Sequence, residues 1–214
     1  MKPTKKYNGR SRIRMFNMDN REFMNQVEDN YYDLAICDPE YGIGANKEKP
    51  HNGWKDYGIK SWDDKPVSEN QINEVIRVSK NQVLWGANYY PEYLNGSMGW
   101  IFWDKGQRNF SLSDGELAYT SFKKALRVCD YSRAESNREE RIHATQKPQY
   151  LYRWILKNYA ESNQKIFDGW GGSMSIAIAC WDLGFDLDIC ELDTDYFNDA
   201  VKRFEQHIKQ TQLF

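Results

Sequence analysis

Two short stretches of the chain gather residue types that could do chemistry. In the first, Asp38-Pro39-Glu40-Tyr41-Gly42-Ile43-Gly44 places a carboxylate, a proline and an aromatic ring within four residues. Taken alone this could be a simple turn, because Asp and Pro are common turn residues. In the second, Asp168-Gly169-Trp170-Gly171-Gly172-Ser173-Met174-Ser175 breaks an apolar run into glycines and leads into an apolar helical pattern, Ile176 to Trp181. Glycines let the backbone approach a ligand closely, and the first turn of the next helix presents unpaired N–H groups to it. Glu191 follows at roughly the 20-residue spacing of an acid that binds a ribose hydroxyl pair. This pattern fits a dinucleotide or S-adenosylmethionine equally well.

Such residues need strands and helices to hold them. Short apolar runs end repeatedly in polar or glycine turns: Ile13 to Met18 before Asp19, Tyr32 to Cys37 before Asp38, and Gln82 to Trp85 before Gly86. Trp100 to Trp103, Lys165 to Phe167 and Leu187 to Cys190 end likewise at Asp104, Asp168 and Glu191. Helical spacing marks Ser68 to Ser79, Tyr150 to Tyr159 and Tyr196 to Ile208. Strands that alternate with helices and carry acids at their carboxyl ends predict a doubly wound α/β sheet, with its ligand outside those ends. The segment 107–145 is the least regular and is rich in Arg and Lys, as a solvated face or a DNA-facing variable insert would be.

The 214 residues suit one domain, 1–214, with an ordinary soluble balance of 40% hydrophobic and 28% charged residues. No run approaches the roughly 20 apolar residues of a membrane span, and the start is polar and basic, so a cytoplasmic protein without membrane contact is expected. Cys37, Cys129, Cys180 and Cys190 lack metal-ligand spacing, so no metal is expected and the thiols should be reduced and buried. A net charge of −2 argues against general nucleic-acid coating but leaves room for a local basic face.

Taken together, the motifs resemble those of the S-adenosylmethionine-dependent DNA amino-methyltransferases. Asp38-Pro39-Glu40-Tyr41 resembles the family's Asp-Pro-Pro-Tyr loop, with Glu40 in place of the second proline. Asp168 to Ser175 resembles its Asp-Pro-Phe-x-Gly-Ser-Gly-Thr loop, with Gly169, Trp170 and Met174 as departures. His143-Ala144-Thr145-Gln146-Lys147-Pro148 resembles the block before that strand, and Trp85 to Tyr90 and Gly99 to Lys105 look like its central strands. Asn17-Met18-Asp19-Asn20 matches the acid that faces the cofactor adenine.

The resemblance implies a class I methyltransferase fold, Rossmann-like, with a seven-stranded, mostly parallel sheet and helices on both faces. The catalytic loop precedes the glycine loop, the circularly permuted order of the family's β type. S-adenosyl-L-methionine is the implied cofactor. Its binding residues would be Asp19, Phe167, Asp168, Gly169, Gly171, Gly172, Ser173 and Glu191, with His143 and Lys147 nearby. Asp38, Pro39, Glu40 and Tyr41 would form the catalytic loop. Double-stranded DNA is the implied partner, met by Arg133, Arg138 and Arg141, and a homodimer or an accessory specificity subunit is left open.

Adenine at its exocyclic nitrogen is the expected target, as in a restriction-modification system. The alternatives are cytosine at N4, for which the family tends to use Ser in place of Asp38, and an inactive cofactor- or DNA-binding subunit. A nicotinamide oxidoreductase leaves Asp38 to Tyr41 without a purpose.

Overall fold

The computed structural model describes residues 1–44, 63–109, 113–139, 142 and 145–211. Among them, nine strands form one sheet: β1 (Lys5–Asn8), β2 (Arg12–Phe16), β3 (Tyr32–Cys37), β4 (Ser79–Trp85), β5 (Trp100–Asp104), β6 (Gly115–Thr120), β7 (Arg127–Asp130), β8 (Lys165–Asp168) and β9 (Asp186–Cys190). Their order is β1-β2-β9-β8-β3-β4-β6-β5-β7. All six strands read from the sequence are present. The seven strands from β2 across to β5 make the body of the sheet, and β1 and β7 extend its two edges beyond the expected seven. β1 packs only Tyr7 against the core and β7 buries only Cys129, so neither carries the alternation that marks a half-buried strand. The stretch 107–145, irregular in sequence, supplies β6 from within the sheet, paired antiparallel to both β4 and β5.

Alternation along the strands divides the core in two. Ile13, Leu34, Ile36, Val83, Ile166 and Ile189 point to one face, where α4 (Gln149–Tyr159), α5 (Ser175–Leu183) and α6 (Thr194–Thr211) pack. Ala35, Cys37, Leu84, Phe167 and Cys190 point to the other, where α1 (Asn20–Met24) and α2 (Glu69–Val78) pack. The helix types follow from the same pattern. α5 is buried from Ser175 through Trp181 and is apolar throughout, whereas α2 buries only Ile72, Val75 and Val78. A capping box between Ser68 and Gln71 starts α2 where the sequence places its serine. All four cysteines are buried and unbridged. No described helix is long and apolar enough to cross a membrane.

The strands β2, β9, β8, β3 and β4 run parallel to one another, so their carboxyl ends lie along one edge. The helix after β8 crosses one face and the helix after β3 crosses the other. A crevice therefore opens between these two neighbouring strands, the topological switch point at which doubly wound sheets bind ligands. β8 ends at Asp168 and β3 delivers Asp38.

The turn from β8 into α5 contains an unusual residue. Met174 sits just before the helix at φ +52°, a left-handed conformation that costs a non-glycine residue about 1–2 kcal/mol, yet its side chain is only 1% exposed. Removing a buried Met side chain costs about 2–5 kcal/mol, so packing outweighs strain. Met174→Gly should lower unfolding stability by about 1–3 kcal/mol in urea denaturation, and an unchanged or raised midpoint would show that strain is the larger effect.

Candidate active site

Hydrogen bonds fix the first residues after β3. Asp63 accepts hydrogen bonds from the backbone N–H groups of Tyr41 (2.9 Å) and Gly42 (2.8 Å), and the Glu40 carbonyl accepts from Val67 N (3.0 Å). Gly42 and Gly44 take positive φ values of 72° and 73°, the conformation that suits glycine. The Tyr41 ring folds back against Gly86, just beyond β4. A Cβ there would lie 1.9 Å from the ring, and φ is +66°, so both space and backbone require glycine. Exposed Tyr89 stacks on Tyr41, with ring centroids 5.0 Å apart.

Asp38 lies at the centre of a chain of charges. Its Oδ1 accepts from the Tyr41 hydroxyl (2.7 Å) and from Lys147 Nζ (2.5 Å). Lys147 Nζ also reaches Glu116 Oε2 (3.1 Å), and Glu116 Oε1 is met by Lys105 Nζ (2.6 Å). The Lys147 side chain is only 3% exposed, and its ammonium also lies over the rings of Tyr41 and Trp85. Burial pushes the Asp38 carboxyl above its ordinary value, opposed by the Lys147 charge. Glu116 is drawn down to about 2 because its two lysines outweigh its burial.

The glycine loop lies across the crevice. Gly171 comes so close to β9 that a Cβ would be 3.0 Å from the Cys190 carbonyl, and Gly172 has φ +49°. The Gly169 carbonyl accepts from Asn20 Nδ2 (3.1 Å), tying the loop to α1. Ser173 is buried, its hydroxyl 3.1 Å from that of Ser175 and its carbonyl bound by Arg203. Asp168 Oδ1 accepts from Trp170 N (2.9 Å), while Asp168 Oδ2 is buried with no hydrogen-bond partner. Burial raises this carboxyl well above its usual range. Glu191 accepts from Gly172 N (2.6 Å) and Asp193 N (2.7 Å), and burial outweighs these bonds, holding its carboxyl up at about 7.

One contact joins the two loops: the Trp170 indole N–H donates to Glu40 Oε2 at 2.8 Å. Glu40, the departure from the Asp-Pro-Pro-Tyr pattern, thus turns its carboxylate toward the glycine loop and away from Tyr41.

Most residues singled out in the sequence converge on this crevice. Lys147, expected near the cofactor, pairs with Asp38 and Glu116 and also lies close enough to Asp168 to draw its carboxyl down. Phe167 is fully buried, its ring between Phe23 and Tyr32, so its side chain belongs to the core and only its backbone faces the loop. Asp19 caps α1 and pairs with Arg21 at the carboxyl end of β2. Arg133 is half-buried and Arg138 exposed, in and just after the short α3 (Arg133–Ser136). Arg133 N bonds the Lys105 carbonyl (2.8 Å), which sets this helix at the same edge of the sheet as the crevice. His143 and Arg141 lie outside the described residues. Sequence reasoning missed Glu116, Lys105, Asp63 and Asn20. The run Gly115 to Thr120 was the available signal for Glu116, hidden inside the charged segment.

No protein-family model and no curated protein sequence matches the chain. Solved structures do. M1.HpyAVI in complex with SAM aligns over 89% of this chain and 98% of its own, with a TM-score of 0.59 and 18% identity. TTHA0409 from Thermus thermophilus, described as a putative DNA modification methylase and complexed with S-adenosyl-L-methionine, covers 91% and 95%, with a TM-score of 0.57 and 13% identity. PvuII DNA methyltransferase, cytosine-N4-specific, covers 92% and 90%, with a TM-score of 0.60 and 10% identity. The chain therefore has the class I methyltransferase fold.

Glu191 offers a direct check on the cofactor half. A carboxyl held at about 7 is mostly protonated at pH 6 and ionised at pH 8, and the ionised form is the better acceptor for ribose hydroxyls. Adenosine, which does not itself titrate in this range, should bind about tenfold more tightly at pH 8 than at pH 6 by calorimetry. Glu191→Gln should abolish the dependence. A flat profile in the unsubstituted protein would remove Glu191 from the ribose position.

Proposed function

We propose that this protein is a DNA amino-methyltransferase that uses S-adenosylmethionine to methylate adenine at its exocyclic nitrogen. The observation that carries the reading is the meeting of Asp38-Pro39 and the Asp168-to-Ser175 glycine loop across one crevice, at the ends of neighbouring parallel strands. The residues fit the cofactor. The buried, unpartnered Asp168 Oδ2 suits a cationic amino donor, the glycine loop admits a close ligand, and Glu191 suits a ribose diol. The solved relatives named with bound SAM or S-adenosyl-L-methionine support the same assignment.

When bound, S-adenosylmethionine supplies an electrophilic methyl on a sulfonium centre. The chain must make the target nitrogen nucleophilic, because the amino lone pair of adenine is delocalised into its ring. Asp38 and the Pro39 carbonyl do this by accepting the two amino N–H bonds, which turns the lone pair out of conjugation and toward the methyl. Asp38 is also the near base for the proton released once nitrogen is methylated. Tyr41 offers its ring to the extruded base, a contact worth about 1–3 kcal/mol, and exposed Tyr89 is the ring that gives way to it.

Asp at position 38, where the family tends to use Ser for cytosine, favours adenine. The fold shared with a cytosine-N4-specific enzyme keeps cytosine as the second reading. Incubating the protein with unmethylated genomic DNA and methyl-labelled cofactor, then identifying the modified nucleoside, separates the two. N6-methyladenine is the expected product, and N4-methylcytosine would transfer the assignment. In the same assay Asp38→Ala should abolish transfer while cofactor affinity survives, and Asp168→Ala should weaken cofactor binding itself. Turnover by Asp38→Ala would remove the catalytic assignment.

The segment 107–145 is our proposed DNA-facing region, since α3 stands at the edge of the sheet that carries the crevice. Neutralising Arg133, Arg138 and Arg141 together should weaken DNA binding and reduce the salt slope by about 0.9 for each phosphate that the arginines no longer neutralise. An unchanged slope would leave these arginines as a solvated face.

A further inference from the structure

The charge chain behind the catalytic loop has a part that the methyl-transfer reading does not use. Both hydrogen bonds to Asp38 end on one oxygen: Tyr41 and Lys147 each donate to Oδ1. Among the described residues Oδ2 accepts none, and it is not among the sealed, unpartnered atoms. The Asp38 side chain is 19% exposed. One carboxylate oxygen is therefore committed to the protein and the other is left for a ligand.

Lys147 and Tyr41 together impose this division, and Glu116 Oε2 holds both, accepting also from the Tyr41 hydroxyl at 3.3 Å. Glu116 Oε2 takes the Lys147 ammonium at 3.1 Å, while Lys105 at 2.6 Å anchors Glu116 Oε1 from the other side. The sheet makes this meeting local. β6 is antiparallel to β5, with Trp103 opposite Glu116, so Glu116 near the start of β6 and Lys105 just past the end of β5 lie at the same edge as Asp38.

We propose that Glu116, anchored by Lys105, is a positioning residue for methyl transfer: it fixes the Lys147 ammonium against Asp38 Oδ1 and so leaves Asp38 Oδ2 to accept the target amino N–H. This inference rests on the amino-methyltransferase reading and specifies how that site is oriented. A proton wire through the same groups is the alternative use of such a chain. Glu116, held near 2, is too weak a base to take a proton from Lys147, whose pKa is raised. The network consequently works as fixed charge.

Asp38 faces Lys147 and Tyr41 in contact, with Glu116, Glu40 and Asp168 as further charges and Tyr90 and Tyr152 as neutral phenols nearby. Glu116→Gln removes one negative neighbour while keeping shape. It should lower kcat roughly 10- to 100-fold, the scale of a misplaced reacting group, with KM for DNA and cofactor affinity near the parent values. The acid limb of the kcat profile should move to lower pH, because a negative charge near Asp38 has gone. Glu116→Asp should recover part of the rate.

Lys105→Met, which leaves Glu116 in place but unanchored, should lower kcat less than Glu116→Gln and shift the limb little. Parent-like kcat and pH profile in Glu116→Gln would overturn the inference. So would a loss of melting temperature in both variants with kcat unmoved, which marks a structural role only. A parent protein that transfers no methyl to any DNA would overturn the function and this inference together, whereas an active parent with an indifferent Glu116→Gln would overturn the inference alone.

Discussion

The rest of the site depends on the burial of one ammonium group. Lys147 is nearly sealed from water, and a buried charge costs several kcal/mol unless it is paired and hydrogen-bonded. It is paired twice, by Asp38 from the end of β3 and by Glu116 from β6. Truncating one partner of such a pair costs about 3–5 kcal/mol, because the remaining charge is left uncompensated. The loop before α4, the catalytic loop and the β5-β6 pair are thus bound to a common geometry. Burial raises the Asp38 carboxyl, and the Lys147 charge opposes that rise.

Around this charge the two halves of the site are joined through few groups. The Trp170 indole reaches Glu40, and Asn20 holds the Gly169 carbonyl. A proline at position 40 could make neither the carboxylate contact nor any charge beside the glycine loop. The departure from the Asp-Pro-Pro-Tyr pattern therefore reads as a link between the loop after β3 and the glycine loop. The buried carboxyls follow the same logic. Asp38, Asp168 and Glu191 are all raised mainly by burial, and each awaits donors that a ligand would bring or already leans on the few the loops provide.

The glycine loop shows how a pattern departure is accommodated. Met174 stands where the family has a glycine, and its backbone keeps the left-handed conformation that glycine would take freely. The helix that follows is buried on nearly every side. Packing in α5 thus imposes on Met174 a conformation it would not choose alone, while Gly171 keeps the close approach to β9 and Gly172 bonds Glu191 just beyond it.

What the sequence determined was whatever is encoded locally. Six strands were legible because each is a short apolar run closed by a turn, α2, α4 and α6 because their apolar residues recur at helical spacing, and α5 because an apolar run follows the glycines. The two loops were legible because carboxylates, glycines and proline follow one another directly. The burial of the Phe167 ring was not legible because adjacency in sequence does not reveal that a strand turns its next side chain into the core. The pairing of Lys147 with Asp38 and Glu116 was not legible because these partners lie 109 and 31 residues away in the chain. Glu116 was marked only by the run Gly115 to Thr120 inside the charged segment, and nothing local to Lys105 or Asp63 marked a role in the site. Their roles arise only when β6 pairs between β4 and β5 and brings distant charges to one edge of the sheet. Tertiary structure decided the electrostatics of this site, because the energy of a buried charge depends on what folds against it and not on its neighbours in sequence.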